Sequence, residues 1–143
     1  MTFNDANLFK SESIRANEIS LNELLDDGLY HYLHGEWSLA NAKFFTYILK
    51  QQECFDQKIE ALYFYSKSLF NDGNYHMASE AQLNLLLHLD QFDARYDDIL
   101  WDSGMVALQI DRAKANRIMY RISIDSNSSN QGNAIQMIDL LKE

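Results

Sequence analysis

Apolar side chains recur every three to four residues along most of the chain, and short polar segments interrupt them at regular intervals. This spacing is typical of amphipathic helices, whose apolar residues face a common core. Residues 1–19 lack a sustained period, and we interpret them as an N-terminal arm. The helices that we predict cover about residues 20–33, 36–51, 56–70, 75–89, 94–109, 111–124 and 133–142, and Asp56 is the expected N-cap of the third.

Glycines mark two of the predicted turns. Gly35 and Gly73 each lie between two apolar stretches, and each is followed after one polar residue by an aromatic side chain, Trp37 or Tyr75. A glycine readily takes the left-handed conformation that ends a helix. An alanine follows each aromatic after two further residues, at Ala40 and Ala78, a size that allows close helix packing.

The two segments are copies of one another at an offset of 38 residues, and a weaker third copy surrounds Ile110–Ala115. The tetratricopeptide repeat has a similar signature, with small residues where helices cross, a glycine and an aromatic at the turn, and an alanine in the second helix. The chain therefore resembles this family over about residues 20–124. Its repeats are longer than the usual 34 residues and contain no proline, and in length they resemble the bacterial type.

The resemblance implies an all-α fold, namely a right-handed α-α superhelix of three helical hairpins plus a C-terminal capping helix. The hairpins would cover about residues 20–54, 56–92 and 94–125, and the cap 130–143. In this family the first helix of each hairpin lines a concave groove. The partner-binding residues implied there are Leu25, Leu29, Tyr32, Glu60, Tyr63, Lys67, Phe70, Asp97, Leu100 and Trp101.

The chain carries 12 Lys and Arg against 21 Asp and Glu, a net charge of −9. An acidic surface repels phosphate backbones and anionic lipids, so we expect neither nucleic-acid binding nor membrane insertion. The resemblance implies a non-enzymatic adaptor or scaffold that holds an extended segment or amphipathic helix of another protein. The acidic balance favours a basic partner, although a charge of this size also serves solubility.

Three alternatives stay open. A secretion-type chaperone dedicated to one client would have the same repeats, and stacked repeats could also form a homodimer. A metal-dependent helical enzyme is the third, since His31 and His34 lie on one predicted helix near acidic residues. We expect no cofactor, and we interpret the pairs Asp26-Asp27 and Asp97-Asp98 as helix-terminal or solvent-facing charges.

Two further features bear on the cellular setting. Cys54 is the single cysteine, which excludes an intramolecular disulfide and a multi-cysteine zinc site. A signal peptide has a basic segment followed by an apolar run, and the first residues do not show this pattern. A cytoplasmic protein is the resulting expectation.

Overall fold

The computed structural model describes residues 20–142 as seven helices, with no strand in that range. Helix α1 covers residues 20–33, and the others are α2 (Trp37–Lys50), α3 (Phe55–Asn71), α4 (Tyr75–His88), α5 (Ala94–Ile110), α6 (Arg112–Ser123) and α7 (Gln131–Leu141). The all-α prediction is confirmed, and the ends of α2 to α7 lie within two residues of the predicted ones. The predicted arm, residues 1–19, lies outside the described residues.

The first two turns share one geometry because a glycine ends each preceding helix. Gly35 and Gly73 have φ angles of +70° and +78°, values that only glycine adopts without steric cost. The residue after each glycine donates its amide to a carbonyl five positions back, from Glu36 to His31 and from Asn74 to Leu69, both at 2.9 Å. The 38-residue offset of the sequence is thus reproduced in the backbone.

Other helix boundaries depend on acidic caps or differ slightly from the prediction. Asp111 separates α5 from α6 without a glycine, and its side chain accepts a hydrogen bond from the Lys114 amide at 3.1 Å. Asp93 caps α5 in the same way through the Arg95 amide. The predicted N-cap of α3 at Asp56 is wrong, since the cap residue is Cys54 and Asp56 lies in the first turn.

Each helix packs against the next in consecutive pairs, as in an α-helical repeat superhelix. Across repeats, the backbones of α3 and α5 also approach each other closely, whereas those of α2 and α4, or of α4 and α6, do not. The stack therefore curves towards the odd-numbered helices. We call the exposed side of α1, α3 and α5 the inner face, and that of α2, α4 and α6 the outer face.

The core between the layers repeats too, at offsets of 38 and then 37 residues. One set of equivalent positions in the three hairpins is occupied by Phe44, Gln82 and Met119, and another by Tyr47, Leu85 and Ile122. All six side chains are buried. Gly28 lies where α1 crosses α2. A β-carbon added there would lie 2.7 Å from the Phe44 ring, so the crossing leaves no room for a side chain at this position. In the third hairpin Gly104 has this role, since a β-carbon there would lie 2.6 Å from the terminal methyl of Met119.

Among the helices of residues 20–142, none combines the length and apolar composition needed to cross a bilayer.

Candidate binding site on the inner face

A cluster of polar side chains joins α3 to α5 in the middle of the inner face. The Lys67 ammonium lies 2.8 Å from Asp98 and 2.7 Å from Asp102, so one cation lies between two carboxylates. The Tyr63 hydroxyl, one turn earlier on α3, donates a hydrogen bond to Asp98. Only 18% of the Lys67 side chain and 10% of the Asp102 side chain are exposed. The cluster is therefore shielded from water more than ordinary surface ion pairs are.

This shielding shifts the titration of the groups involved. Burial, followed by the hydrogen bond to Asp98, raises the pKa of Tyr63 to about 12. Burial also raises the pKa of Asp102, and the nearby Lys67 only partly opposes this. For Lys67 itself burial lowers the pKa, but hydrogen bonds to Asp102 and Asp98 outweigh it, and its pKa is raised. Lys67 consequently stays charged at neutral pH.

Two carboxylates against one ammonium leave the ionised cluster with a surplus of one negative charge. Asp98, whose side chain is 38% exposed, presents this charge to the solvent side of the face. Carboxylate oxygens accept several hydrogen bonds, and charge-assisted bonds from lysine or arginine are the stronger kind. The arrangement can therefore accept a second cation from outside.

Aromatic rings extend the cluster towards α1. The Tyr32 ring lies 5.4 Å from that of Phe64 and 5.5 Å from that of Trp37, with edge-to-face geometry in both pairs. The Tyr63 ring in turn lies 5.3 Å from Phe64, and Lys67 lies 5.7 Å from the centre of the Tyr63 ring. A half-buried aromatic strip thus lines the inner face beside the acidic cluster.

Most of the groove residues implied by the resemblance lie on or beside this face. Five of them are half-buried and pack against the core cluster that contains Phe44, Leu69 and Leu85: Leu25, Leu29, Tyr32, Tyr63 and Phe70. Glu60 is exposed, one turn before Tyr63 on α3, and Lys67 belongs to the polar cluster. Whether any of them contacts a partner stays a prediction.

The three groove residues implied on α5, Asp97, Leu100 and Trp101, lie in different environments. Leu100 is buried in a second core cluster with Met119 and Ile122, and Trp101 is half-buried against it. Asp97 accepts hydrogen bonds from the hydroxyls of Ser128 and Ser129, so it tethers the loop before α7. The α5 side chains that contact α3 across the inner face are Asp98 and Asp102.

Asp98 and Asp102 are not among the groove residues that the resemblance implies, and the interpretation of Asp98 as a solvent-facing charge does not include its ion pair with Lys67. A signal existed in the repeat register. Lys67 stands where the neighbouring repeats have Leu29 and Met105, so it breaks an apolar column of the repeats. A cation at such a position calls for an acidic partner nearby.

The two histidines of the metal hypothesis make local contacts. The Nδ1 atom of His31 lies 3.3 Å from a Glu36 carboxylate oxygen, and that of His34 lies 2.7 Å from the Tyr30 carbonyl oxygen. Within residues 20–142, no group of three or more His, Cys, Asp or Glu side chains is placed to hold a metal ion.

Consecutive helical pairs with a curved inner layer define the chain as an all-α protein of helical-repeat architecture. No protein-family model, curated protein or solved structure matches it. The tetratricopeptide resemblance therefore stays a prediction drawn from the repeated motif.

Proposed function

We propose that the chain is a non-enzymatic adaptor or assembly scaffold, which binds a basic segment of another protein on its inner face. The observation that carries the proposal is the shielded cluster of Tyr63, Lys67, Asp98 and Asp102, with its surplus negative charge beside half-buried aromatic rings. We propose the cytoplasm as its location.

The charge distribution along the helices supports a basic partner. Within the described ranges, α1, α3 and α5 carry eight acidic side chains, Glu23, Asp26, Asp27, Asp56, Glu60, Asp97, Asp98 and Asp102. They carry only three basic ones, Lys58, Lys67 and Arg95. Complementary potentials of this kind speed up association and select against partners of like charge.

The aromatic strip supplies the apolar part of the recognition. Tyrosine and tryptophan are the side chains that most often anchor protein interfaces, because a large ring carries a polar edge. Tyr32 and Tyr63 are each partly exposed and are held in place by edge-to-face neighbours. An extended segment or an amphipathic helix could lie along them, with a lysine or arginine directed at Asp98.

The test is quantitative affinity capture from lysate of the source cells, with the full chain as bait. The charge-reversed bait Glu60→Lys changes an exposed residue of the inner face. A second bait, Glu80→Lys, makes the same change at an exposed residue of α4 on the outer face. Surface charges of this kind contribute about 0.2–1 kcal/mol per pair, so we expect Glu60→Lys to weaken retention of a basic partner roughly fivefold.

The matched bait Glu80→Lys is expected to retain that partner as the wild-type chain does. Equal retention by both variants would show that the inner face is not the binding site. Retention of one dominant client, insoluble when expressed alone, would instead identify a chaperone acting through the same face.

A further inference from the structure

The outer face exposes apolar side chains in two rows that follow the repeat. One row consists of Phe45, Leu83 and Tyr120, and the other of Leu49, Leu87 and Ile124. Each row has one residue from α2 and one from α4, and it ends on α6 at Tyr120 or just past α6 at its cap residue Ile124; the exposed fractions run from 48% for Phe45 to 74% for Leu87. Single exposed apolar residues are ordinary, but a contiguous set of them marks an interaction surface.

A cleft opens on the same face between α2 and α4. Its volume is about 250 Å³, and its apolar walls are Phe45, Tyr65, Leu69 and Met77. This is smaller than the roughly 300–1,000 Å³ of small-molecule sites and suits a single side chain.

The polar end of the cleft holds a hydrogen-bond acceptor that has no partner. Asn41 donates through Nδ2 to Asp72 at 3.3 Å, but its Oδ1 atom is buried and has no partner within residues 20–142. A buried acceptor left in this way costs free energy, which a donor brought by a bound side chain would recover.

The charge of the outer layer is opposite to that of the whole chain. In the described helices α2, α4 and α6, one acidic side chain, Glu80, stands against six basic ones, Lys43, Lys50, Arg112, Lys114, Arg117 and Arg121. Four of the six are on α6, which has no acidic residue between positions 112 and 123. Asp72 lines the cleft, and burial together with the nearby charge of Glu80 raises the pKa of Tyr65 in the cleft wall. On α6, Arg112 donates to the Leu141 carbonyl of α7 and Arg121 to the Tyr96 hydroxyl of α5, so the basic part of the outer face is the part around Lys114 and Arg117.

We propose that the outer face docks an acidic amphipathic helix of another protein, independently of the inner face. Its apolar side chains lie on the two rows, and its carboxylates lie over α6. One apolar side chain with an N–H or O–H donor, such as tryptophan or tyrosine, enters the cleft towards Asn41.

Two other occupants fit the face less well. A lipid bilayer would meet the apolar rows and the basic residues, but it offers no side chain to fill a cleft ending in an unpaired acceptor. The inner face of a second copy has the required negative charge, but the aromatic residues of its cluster, Tyr32 and Tyr63, are half-buried rather than protruding.

The test is a selection of random 16-residue peptides displayed on phage against the full chain. Selected peptides are then measured by fluorescence anisotropy with three variants. Leu83→Ser/Leu87→Ser removes apolar side chains from the two rows, and Arg117→Glu reverses charge on α6. A control, Leu33→Ser/Leu140→Ser, makes the same change at exposed leucines on α1 and α7.

We expect a group of acidic peptides with apolar residues at helical spacing. Their affinity should fall about tenfold with Leu83→Ser/Leu87→Ser and with Arg117→Glu, and should be unchanged with the control. The proposal is overturned if no selected peptide depends on the outer-face leucines, or if those that do are basic.

The same variants decide between the other occupants. Vesicles of phosphatidylcholine and phosphatidylserine should not cosediment the chain, and sedimentation velocity should show no self-association that depends on Leu83 and Leu87. Cosedimentation lost in Leu83→Ser/Leu87→Ser would replace the peptide with a lipid surface. Self-association lost in that variant would replace it with a second copy.

Discussion

At the crossing of α1 and α2, the absence of a side chain at Gly28 makes room for the buried ring of Phe44. A β-carbon would lie 2.7 Å from a ring carbon that has no space to move. Overpacking of this kind costs about 1–3 kcal/mol, against roughly 1 kcal/mol gained when alanine replaces glycine in a helix. We expect Gly28→Ala to lower the free energy of unfolding by about 1 kcal/mol in chemical denaturation.

Two other helical glycines serve as controls for this prediction. At Gly104 the nearest atom is the terminal methyl of Met119, the flexible end of a side chain, so Gly104→Ala should change stability little. At Gly132 no atom lies within 4 Å of the added carbon, and Gly132→Ala should stabilise α7 by about 0.5 kcal/mol. A Gly28→Ala protein as stable as the Gly132→Ala protein would contradict the close crossing.

Gln82 is an amide in a column of apolar residues. It is 1% exposed, and neither its nitrogen nor its oxygen has a hydrogen-bond partner within residues 20–142. The equivalent residues are Phe44 and Met119, both buried. Because an unpaired buried polar group costs about 1–3 kcal/mol, we expect Gln82→Met to raise the thermal midpoint and the free energy of unfolding by about 1 kcal/mol. A loss of stability would show that the amide has a partner.

The start of α5 depends on the charge of its cap residue, Asp93. Asp93 accepts hydrogen bonds from the side chain and the amide of Arg95, which lower its pKa from 3.8 to about 2. The folded state thus favours the ionised carboxylate. This contribution to stability is fully present above pH 3.8 and is lost as the pH falls towards 2.

Asparagine at this position keeps a capping oxygen without the charge. The thermal midpoint of Asp93→Asn should therefore fall less than that of the wild-type chain between about pH 5 and pH 2. Asp93→Ala, which removes the cap, should cost about 1 kcal/mol at neutral pH. Identical acid profiles for Asp93→Asn and the wild-type chain would rule out the role of the charge.

The helical elements could be predicted from sequence because their signals are local. The apolar period defines each helix, and Gly35 and Gly73 end two of them through a conformation that few other residues adopt. The N-cap of α3 is predicted two residues too late because aspartate suits both a cap and a first turn, and Asp56 lies in the first turn. A cap at Cys54 has no side-chain hydrogen bond that the sequence could reveal.

The candidate site was only partly predictable because it depends on contacts between repeats. Tyr63 and Lys67 follow from the repeat register, but their acidic partners lie 31 to 35 residues away on α5. A one-residue error in the rotation of α5 exchanges Asp97 for Asp98 and Leu100 for Trp101. Only the packing of α5 on α3 decides which carboxylate meets Lys67.

At the scale of the whole molecule, α7 closes the stack. Ala134 is fully buried, and Met137 and Ile138 pack with it against Met119 and Ile122 of α6. Terminal elements of helical repeats cover an apolar face that would otherwise meet water. We expect the free energy of unfolding of a chain that ends at Asn130 to be about 3 kcal/mol lower than that of the full chain. This figure is the free energy gained by burying these side chains minus the conformational entropy cost of ordering α7.

Leu140→Ser provides the matched control for that truncation, since Leu140 is on the exposed side of α7. A surface change of this kind should stay within about 0.5 kcal/mol of the wild-type chain. Equal stabilities of the truncated and full chains in urea would mean that α7 does not act as a cap.

The two layers of the molecule carry charges of opposite sign, acidic on the inner helices and basic on the outer ones. The central claim is that the acidic inner layer holds a basic segment. Its most direct test is an ¹H–¹⁵N NMR titration of the isotope-labelled chain with the binding segment identified by affinity capture. We predict amide shift changes concentrated on α3 and α5 around Tyr63, Lys67 and Asp98, reduced by Glu60→Lys. Changes confined to α2, α4 and α6 would contradict the account.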